Sequence, residues 1–184
     1  RRNTEQHRAN LIENKHGLSR SDAVQVARGV YGLDEVLLRN AQKEHLTANA
    51  TRSILTWSME NEAPITLYLH GCREHTGTVQ QVESYSIDME GMDSPLPKLQ
   101  IQIAKTEGTA FDIKDAEKRL PVESIERPEN RFRLASKHLF ALHTQRNLVH
   151  FETIEGLGIS GFLKWIGRYE VGVEDAKGRE VVVF

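Results

Sequence analysis

The sequence predicts an α+β fold in which strands predominate: two small barrels of bent sheet in tandem, each preceded by a short α-helix, behind an N-terminal helical extension. The first reason is a gapless internal repeat with an offset of 84 residues. The second is that apolar residues at helical spacing precede each copy of the repeat. The third is the alternation of apolar and polar residues, interrupted by glycines, within each copy.

The repeat aligns residues 65–90 with residues 149–174 and places Gly77 on Gly161 and Tyr85 on Tyr169. The apolar positions agree as well, so both copies would bury equivalent faces of equivalent strands. A chain of 184 residues accommodates two such small units, which would share a core or pack together because each alone is marginal. We therefore expect three regions: an N-terminal extension (residues 1–48), a first repeat (residues 49–126) and a second repeat (residues 127–184).

Apolar residues spaced at i, i+3, i+4 and i+7 predict the helices. In the extension, Ser19 or Ser21 is suited to cap the first helix, and Gly32 is expected to end it. Pro64 stops the helix that precedes the strands of the first repeat. The helices so predicted cover residues 23–30, 33–46, 51–62 and 133–146.

After the last two of these helices the apolar spacing changes to alternation, which predicts half-buried antiparallel strands. The clearest runs are centred on Ile87 and Val171. The second repeat closes with an apolar strand over residues 179–184. The first repeat carries an insertion over residues 92–109 instead, with a Pro-bearing loop and an additional strand around Ile101.

Composition and charge are those of a soluble globular protein, with 24 basic against 26 acidic side chains. No apolar run approaches the roughly 18 residues of a membrane span, and the opening residues lack the apolar stretch of a secretory signal. The single cysteine, Cys72, cannot form an internal disulfide, so we expect a reducing, cytoplasmic setting. The first repeat carries 7 basic and 13 acidic groups and the second 9 and 7, which favours the second for any polyanion contact.

The strand patterns of both repeats resemble a known family. Residues 64–89, P-I-T-L-Y-L-H-G-C-R-E-H-T-G-T-V-Q-Q-V-E-S-Y-S-I-D-M, follow a short helix and are similar to the Sm-like core of the Hfq family of bacterial RNA chaperones. The second copy, residues 148–173, keeps the family's G-x-x-x-x-G spacing as Gly156 and Gly161. The resemblance covers roughly residues 50–90, 110–120 and 133–184 and leaves the N-terminal extension unexplained.

Hfq-type proteins are rings of six Sm folds, so the resemblance implies a pseudo-hexamer built from three copies of this tandem chain. It also implies single-stranded RNA, U-rich or A-rich, as the ligand, with a role in post-transcriptional regulation, no catalysis and no cofactor. The N-terminal helices would cover the barrel or dock on a protein partner.

The resemblance further implies which residues contact RNA. On the pore side the family stacks uracil on an aromatic residue, which corresponds to Tyr85 and to Tyr169, with Arg168 beside the second. The closing Tyr-Lys-His motif of the family becomes residues 113–115, with Lys114 at the lysine position, and Phe184 takes the tyrosine's place in the second repeat.

On the opposite face, the stacking tyrosine of the family survives as Tyr68 but is Glu152 in the second repeat, which would weaken or halve adenine-tract binding there. Lys164 is a further candidate for phosphate contact. The predicted RNA-binding residues are Tyr68, Tyr85, Lys114, Lys164, Arg168, Tyr169 and Phe184.

Other interpretations stay open. The acidic first repeat and Glu152 also suit a scaffold module of Sm-like fold that has lost RNA binding. Trp165 is expected to face outward as a subunit or ligand contact, with core packing as the alternative. His70, Cys72 and His75 form an H-x-C-x-x-H motif, but a structural zinc site needs four ligands and no fourth follows. No third group completes a catalytic set around Cys72, so we expect no enzyme.

Overall fold

The computed structural model describes residues 2–115 and 134–184 and divides the chain into two compact units, Arg1–Thr47 and Ala48–Phe184. The first unit is helical, and the second combines two helices with a curled antiparallel sheet, so the chain is α+β. Within the described residues, no helix is both long and apolar enough to cross a membrane.

The N-terminal unit contains α1 (Arg2–His16), α2 (Arg20–Ala27) and most of α3 (Leu33–Ala48). Ser19 caps α2, since its hydroxyl accepts the Asp22 N–H at 3.2 Å. The small core of this unit consists of Ala9, Leu18, Ala23, Val26, Ala27 and Val36.

The helices predicted in the extension are confirmed, with two differences. The helix predicted to reach Val30 ends at Ala27, and Val30 lies outside it with its side chain exposed. The long α1 is not predicted, because its few apolar residues include one buried side chain, Ala9, and give no helical stripe to recognise.

The second unit contains α4 (Ile54–Asn61) and α5 (Ser136–Thr144), which lie within the predicted helices 51–62 and 133–146. The described strands pair antiparallel, in the order β2-β1-β6-β11-β10-β9-β7 with β8 on β9, and in a second sheet β3-β4-β5. The strands are β1 (Ile65–Leu69), β2 (Arg73–Gly77), β3 (Val79–Val82), β4 (Ser86–Met89), β5 (Leu96–Pro97), β6 (Ile101–Thr106), β7 (Ile113–Asp115), β8 (Leu148–Glu152), β9 (Leu157–Ile166), β10 (Val171–Glu174) and β11 (Glu180–Val183), with a 3-10 turn at Lys98–Gln100.

The sequence repeat is also a repeat of strand pairing. Ile65 of β1 pairs with Gly77, and 84 residues later Val149 of β8 pairs with Gly161. The β3–β4 pairing carries a one-residue irregularity after Val79, and β9–β10 carries the same irregularity after its equivalent. The two repeats therefore share the register of these two strand pairs. In the second repeat one continuous strand, β9, takes part in both pairs, whereas in the first repeat β2 and β3 are separate strands.

Two glycines of the repeat are required by close backbone contact. A Cβ on Gly77 would lie 2.7 Å from the carbonyl oxygen of Glu90, and one on Gly161 would lie 2.6 Å from that of Glu174. The two contacts are equivalent, since Glu90 and Glu174 are also 84 residues apart. A side chain at either position would push apart strands that cross at this point.

Strands exchanged between the repeats hold Ala48–Phe184 together as one unit. β6 of the first repeat lies between β1 and β11, with Ala104 opposite Val182 of the second repeat. β7 of the first repeat pairs with β9 of the second, with Ile113 opposite Ile159. Residues 92–109, which the sequence analysis interprets as an insertion, thus supply a central strand of the sheet. The first repeat is longer than the second in this region because it contributes that strand.

The prediction that Trp165 faces outward is wrong. Its side chain is 2% exposed and lies flat against Gly172, where an added Cβ would come within 2.1 Å of the indole Nε1. The indole N–H donates to Glu180 at 2.7 Å, and the Arg52 guanidinium lies 4.7 Å from the ring centre. The irregular register near Trp165 breaks the simple alternation of faces on which the prediction depended.

Candidate nucleic-acid interface

Two equivalent hairpin turns carry the exposed aromatic residues of the repeat. In the first, the Glu83 N–H donates to the Ser86 carbonyl at 2.9 Å, which leaves Tyr85 at the tip. In the second, the Gly167 N–H donates to the Glu170 carbonyl at 2.8 Å, which leaves Tyr169 at the tip. The two tyrosines therefore occupy one position of one structural motif.

Both tyrosine rings are open to solvent. Tyr85 is 82% exposed and Tyr169 is 68% exposed, although each is followed by an apolar strand that enters the core. The guanidinium of Arg168 lies 5.1 Å from the Tyr169 ring centre, whereas the residue before Tyr85 is Ser84. An open ring accepts a nucleobase by stacking, and an adjacent guanidinium suits a phosphate.

Lys98 lies at the first turn and was not among the residues predicted from the sequence. Its backbone N–H donates to the Tyr85 carbonyl at 2.9 Å, and its ammonium donates to the carbonyl of Glu83. Burial lowers the pKa of Lys98, while attraction to the Glu170 carboxylate acts in the opposite direction. Its position follows from the pairing of Ser86 with Pro97, which puts the next residue beside the turn, and no local sequence pattern indicates this pairing.

Glu170 links the second turn to the first repeat. Its carboxylate is buried and accepts the Ser53 hydroxyl at 2.5 Å and the Ile54 N–H at 3.0 Å, at the N-terminus of α4. Burial raises the pKa of Glu170, opposed by these two hydrogen bonds and by the charge of Lys98. We call the exposed parts of the two turns, with Lys98 and Arg168 beside them, the tyrosine surface.

Lys164 is held by acidic neighbours. Its ammonium lies 2.9 Å from carboxylate oxygens of both Glu174 and Glu180. Hydrogen bonds to these two groups raise the pKa of Lys164. A phosphate would have to compete with both carboxylates for this ammonium, which makes Lys164 a poor anion site.

Lys114 lies apart from the tyrosine turns, whereas Phe184 follows Val183, which pairs with Val171 just after the second turn. Lys114 is exposed and pairs with Gly158 at the start of β9, whereas the far end of that strand, Ile166, leads into the Tyr169 turn. The Phe184 N–H donates to the Gln102 carbonyl at 3.0 Å, and its ring packs against the apolar core of the first repeat. The half-buried Phe184 ring has less surface open for stacking than the exposed rings of Tyr85 and Tyr169.

Tyr68 is half-buried on β1 and has a cation of its own. The Lys105 ammonium lies 5.8 Å from the Tyr68 ring centre, and Glu74 and Ile103 flank Tyr68 on the neighbouring strands. The second repeat has Glu152 at the equivalent position. The arrangement offers one aromatic position, without a second copy to extend it.

The H-x-C-x-x-H motif does not converge on a metal. His70 is buried, with Nδ1 3.9 Å from the Glu155 carboxylate, while His75 Nε2 lies 2.8 Å from the Glu90 carbonyl oxygen. The Cys72 N–H instead donates to Glu155 at 3.1 Å. Among the described residues, no group of three or more His, Cys, Asp or Glu side chains is placed to hold a metal ion.

Comparisons with protein-family models, with curated proteins and with solved structures gave no match to this chain.

Proposed function

We propose that this protein binds single-stranded RNA on the tyrosine surface. The observation that carries the proposal is that Tyr85 and Tyr169 occupy the same position of a repeated hairpin and both expose their rings. Stacking of a base on such a ring contributes about 1–3 kcal/mol. The two copies differ at many positions, yet both have an exposed tyrosine at this one. An exposed ring contributes little to stability, whereas it can stack on a base.

Positive charge beside the tyrosines supports an anionic ligand. Arg168 is exposed next to Tyr169, and Lys98 lies against the Tyr85 turn. Both would neutralise backbone phosphates while the rings stack on bases, which is the usual division of labour for single-stranded nucleic acid. Since stacking is tolerant of sequence, preference between U-rich and A-rich strands would be modest.

We further propose that the two repeats are Sm-like folds of the Hfq type and that three chains form a pseudo-hexameric ring. The shared register of the two repeats supports the first part. The pairing of β11 with β6 supports the ring, because this pairing joins an edge of one repeat to a different edge of the other. A contact between non-identical surfaces closes into a ring when it is repeated with the right rotation.

Fluorescence anisotropy with labelled U-rich and A-rich oligonucleotides across a salt series tests RNA binding. We expect binding that weakens with salt, and a loss of tenfold or more when Tyr85→Ala and Tyr169→Ala are combined. Tyr31→Ala is the matched control, because Tyr31 is also exposed, and the Arg39 guanidinium lies 5.3 Å from its ring centre in the N-terminal unit. Unchanged affinity of the double variant would contradict the assignment of the tyrosine surface.

The ring is tested separately by light scattering of purified protein. We expect a mass three times that of the chain at micromolar concentration. A stable monomer would contradict the ring, while leaving RNA binding to be decided by anisotropy.

A second candidate function is an assembly module without RNA. It is favoured by Lys164, whose charge is taken up by Glu174 and Glu180, and by the acidic balance of the first repeat. The ratio of absorbance at 260 and 280 nm in freshly purified protein discriminates the two. A high ratio that falls to the value of pure protein after nuclease treatment supports RNA binding. A ratio typical of pure protein, together with no anisotropy change on adding oligonucleotide, supports the assembly module.

A further inference from the structure

We propose that Glu170 is a positioning residue that fixes the separation of the two tyrosine turns, so that they act as one coupled site for two bases. This inference rests on the proposed RNA binding, because coupling has meaning only if both tyrosines contact the ligand. Its geometric part is independent of RNA.

The position of Glu170 in the turn is the first step of the argument. It follows Tyr169 directly, and its own carbonyl closes the turn by accepting the Gly167 N–H at 2.8 Å. Any displacement of the Glu170 backbone therefore moves the Tyr169 tip as well.

The side chain of Glu170 is the second step. The carboxylate leaves its own repeat and takes two donors from the first, the Ser53 hydroxyl at 2.5 Å and the Ile54 N–H at 3.0 Å. Helix N-terminal N–H groups carry partial positive charge, so a buried carboxylate at this point is bound by both hydrogen bonds and the helix dipole. The second turn is thus anchored to α4 of the first repeat.

The third step is the link from Glu170 to the Tyr85 turn. The Ser58 hydroxyl of α4 accepts the Val79 N–H at 3.1 Å, and β3, which begins at Val79, pairs with β4 across the Tyr85 turn. Glu170, bonded to the N-terminus of α4, is therefore linked through that helix to the hairpin that carries Tyr85. Among the described strands the two hairpins belong to different sheets, so strand pairing does not make this link.

The equivalent position in the first repeat is Ser86, which pairs with Pro97 in the sheet. The first repeat therefore has no carboxylate at the position of this anchor, which lies at the junction of the two repeats. Because the two repeats differ here, Glu170 is suited to fix the position of Tyr169 relative to Tyr85 within one chain.

A distance measurement tests the positioning without RNA. Nitroxide labels on Ser84→Cys and Arg168→Cys, in a Cys72→Gly background diluted with unlabelled protein, report the separation of the turns by pulsed EPR. We expect one narrow distribution in this parent and a width at least doubled by Glu170→Ala. A Glu170→Ala distribution as narrow as that of the parent would overturn the proposal.

Three further variants separate positioning from general loss of stability. Glu170→Gln should keep the narrow distribution, because its amide oxygen accepts the Ile54 N–H and its NH₂ donates to the Ser53 hydroxyl. Ser53→Ala, which removes one of the two bonds, should give an intermediate width and remains informative if Glu170→Ala fails to fold. Glu155→Ala is the matched control, since Glu155 is another buried glutamate that takes donors from the first repeat, Gly71 and Cys72, away from the turns.

The coupling is then measured by anisotropy on a U-rich oligonucleotide. In protein with Glu170, we expect the loss from the double Tyr85→Ala, Tyr169→Ala variant to differ at least threefold from the product of the single losses. With Glu170→Ala, the losses should multiply independently. Absence of RNA binding would refute the proposed function alone, whereas independent losses in the presence of Glu170 would refute the coupling alone.

Discussion

The two repeats share the register of two strand pairs, β1–β2 with β8–β9 and β3–β4 with β9–β10, but they fill the space between the strands differently. At one pair of facing positions the second repeat has Trp165 and Gly172, and the first has Gln81 and Asp88. The closely approached glycines, Gly77 and Gly161, are kept in both. The comparison teaches that register depends on the few positions where backbone approaches backbone, and that the side chains elsewhere are free to diverge.

The junction between the repeats is equally one-sided. Among the described residues, two buried glutamates cross it, Glu155 and Glu170; both belong to the second repeat and accept donors from the first. The equivalent positions in the first repeat are Gly71 and Ser86. The two repeats therefore meet through different surfaces, as neighbours in a head-to-tail assembly do.

The largest effect is expected from making the second repeat resemble the first at Gly172. Gly172→Asp places a side chain where the Trp165 indole lies, only 2.1 Å from an added Cβ. The tryptophan must leave its buried position, so we expect a loss of about 3 kcal/mol or more in the free energy of unfolding. Urea denaturation measures this.

Asp88→Ala is the matched control for that variant, because Asp88 is the equivalent residue of the first repeat. We expect a change within about 0.5 kcal/mol for it. Similar losses in the free energy of unfolding for the two variants would show that the repeats are packed alike at this position. That result would contradict the difference in packing described above.

The next effect concerns Glu155. Its removal leaves the Gly71 N–H, the Cys72 N–H and the Gln102 amide without their acceptor, at bonds of 2.7, 3.1 and 2.7 Å. We expect Glu155→Ala to lower the free energy of unfolding by about 3 kcal/mol, measured by urea denaturation. The exposed Glu152 serves as control, with a change within about 0.5 kcal/mol for Glu152→Ala; a comparably small effect of Glu155→Ala would mean that the junction does not depend on it.

The two tyrosines should differ in their contribution to RNA affinity. The Arg168 guanidinium lies over the Tyr169 ring, so one face of that ring is already in contact, whereas Tyr85 follows a serine. Both single alanine variants should lose about 1–3 kcal/mol of binding free energy, with Tyr85→Ala the larger. Anisotropy at fixed salt gives the order, and a larger loss for Tyr169→Ala would indicate that Arg168 assists stacking.

Salt dependence sharpens the comparison of the basic residues. Lys98→Ala and Arg168→Ser, the latter giving the second turn the serine of the first, should each reduce the slope of log affinity against log salt by about 0.7. Lys164→Ala should leave the slope unchanged, because Glu174 and Glu180 already neutralise that ammonium. An equal reduction by Lys164→Ala would place phosphate at that site.

The smallest effect is a pH dependence of stability from Glu170. Burial raises the pKa of this carboxyl in the folded protein, so the folded state binds its proton more tightly than the unfolded state does. The free energy of unfolding should therefore fall as pH rises from the ordinary value towards the raised pKa. Glu170→Gln should flatten the profile in that interval, and a parallel profile would show that Glu170 titrates normally.

The repeat and the register of its matched strands could be predicted from the sequence because both depend on local patterns of residues. Alternating apolar residues define which face of a strand is buried, and matched glycines such as Gly77 and Gly161 define where strands cross. The helices before each repeat follow from the same kind of pattern. Among the predicted site residues, Tyr85, Arg168 and Tyr169 lie on the tyrosine surface, because the turn that carries them is itself a local motif.

The remaining features depend on partners that are distant in sequence. The pairing of β6 with β11, the burial of Trp165 on Gly172 and the bond from Glu170 to Ser53 each join segments that no periodicity relates. Lys98 is not predicted for the same reason, because the sequence places its neighbour Pro97 in the apparent insertion. Tertiary contacts of this kind decide which residues converge on a surface, and local propensity does not contain them.

The place of β6 in the sheet also has a consequence for synthesis. The ribosome releases β6 long before β11, the strand that pairs with Ala104 and Ile103 on its outer side. During that interval a strand with buried apolar residues presents unpaired N–H and C=O groups along one edge, which is the form that recruits other chains. Newly made protein should therefore depend on protection at this edge until the second repeat has been translated.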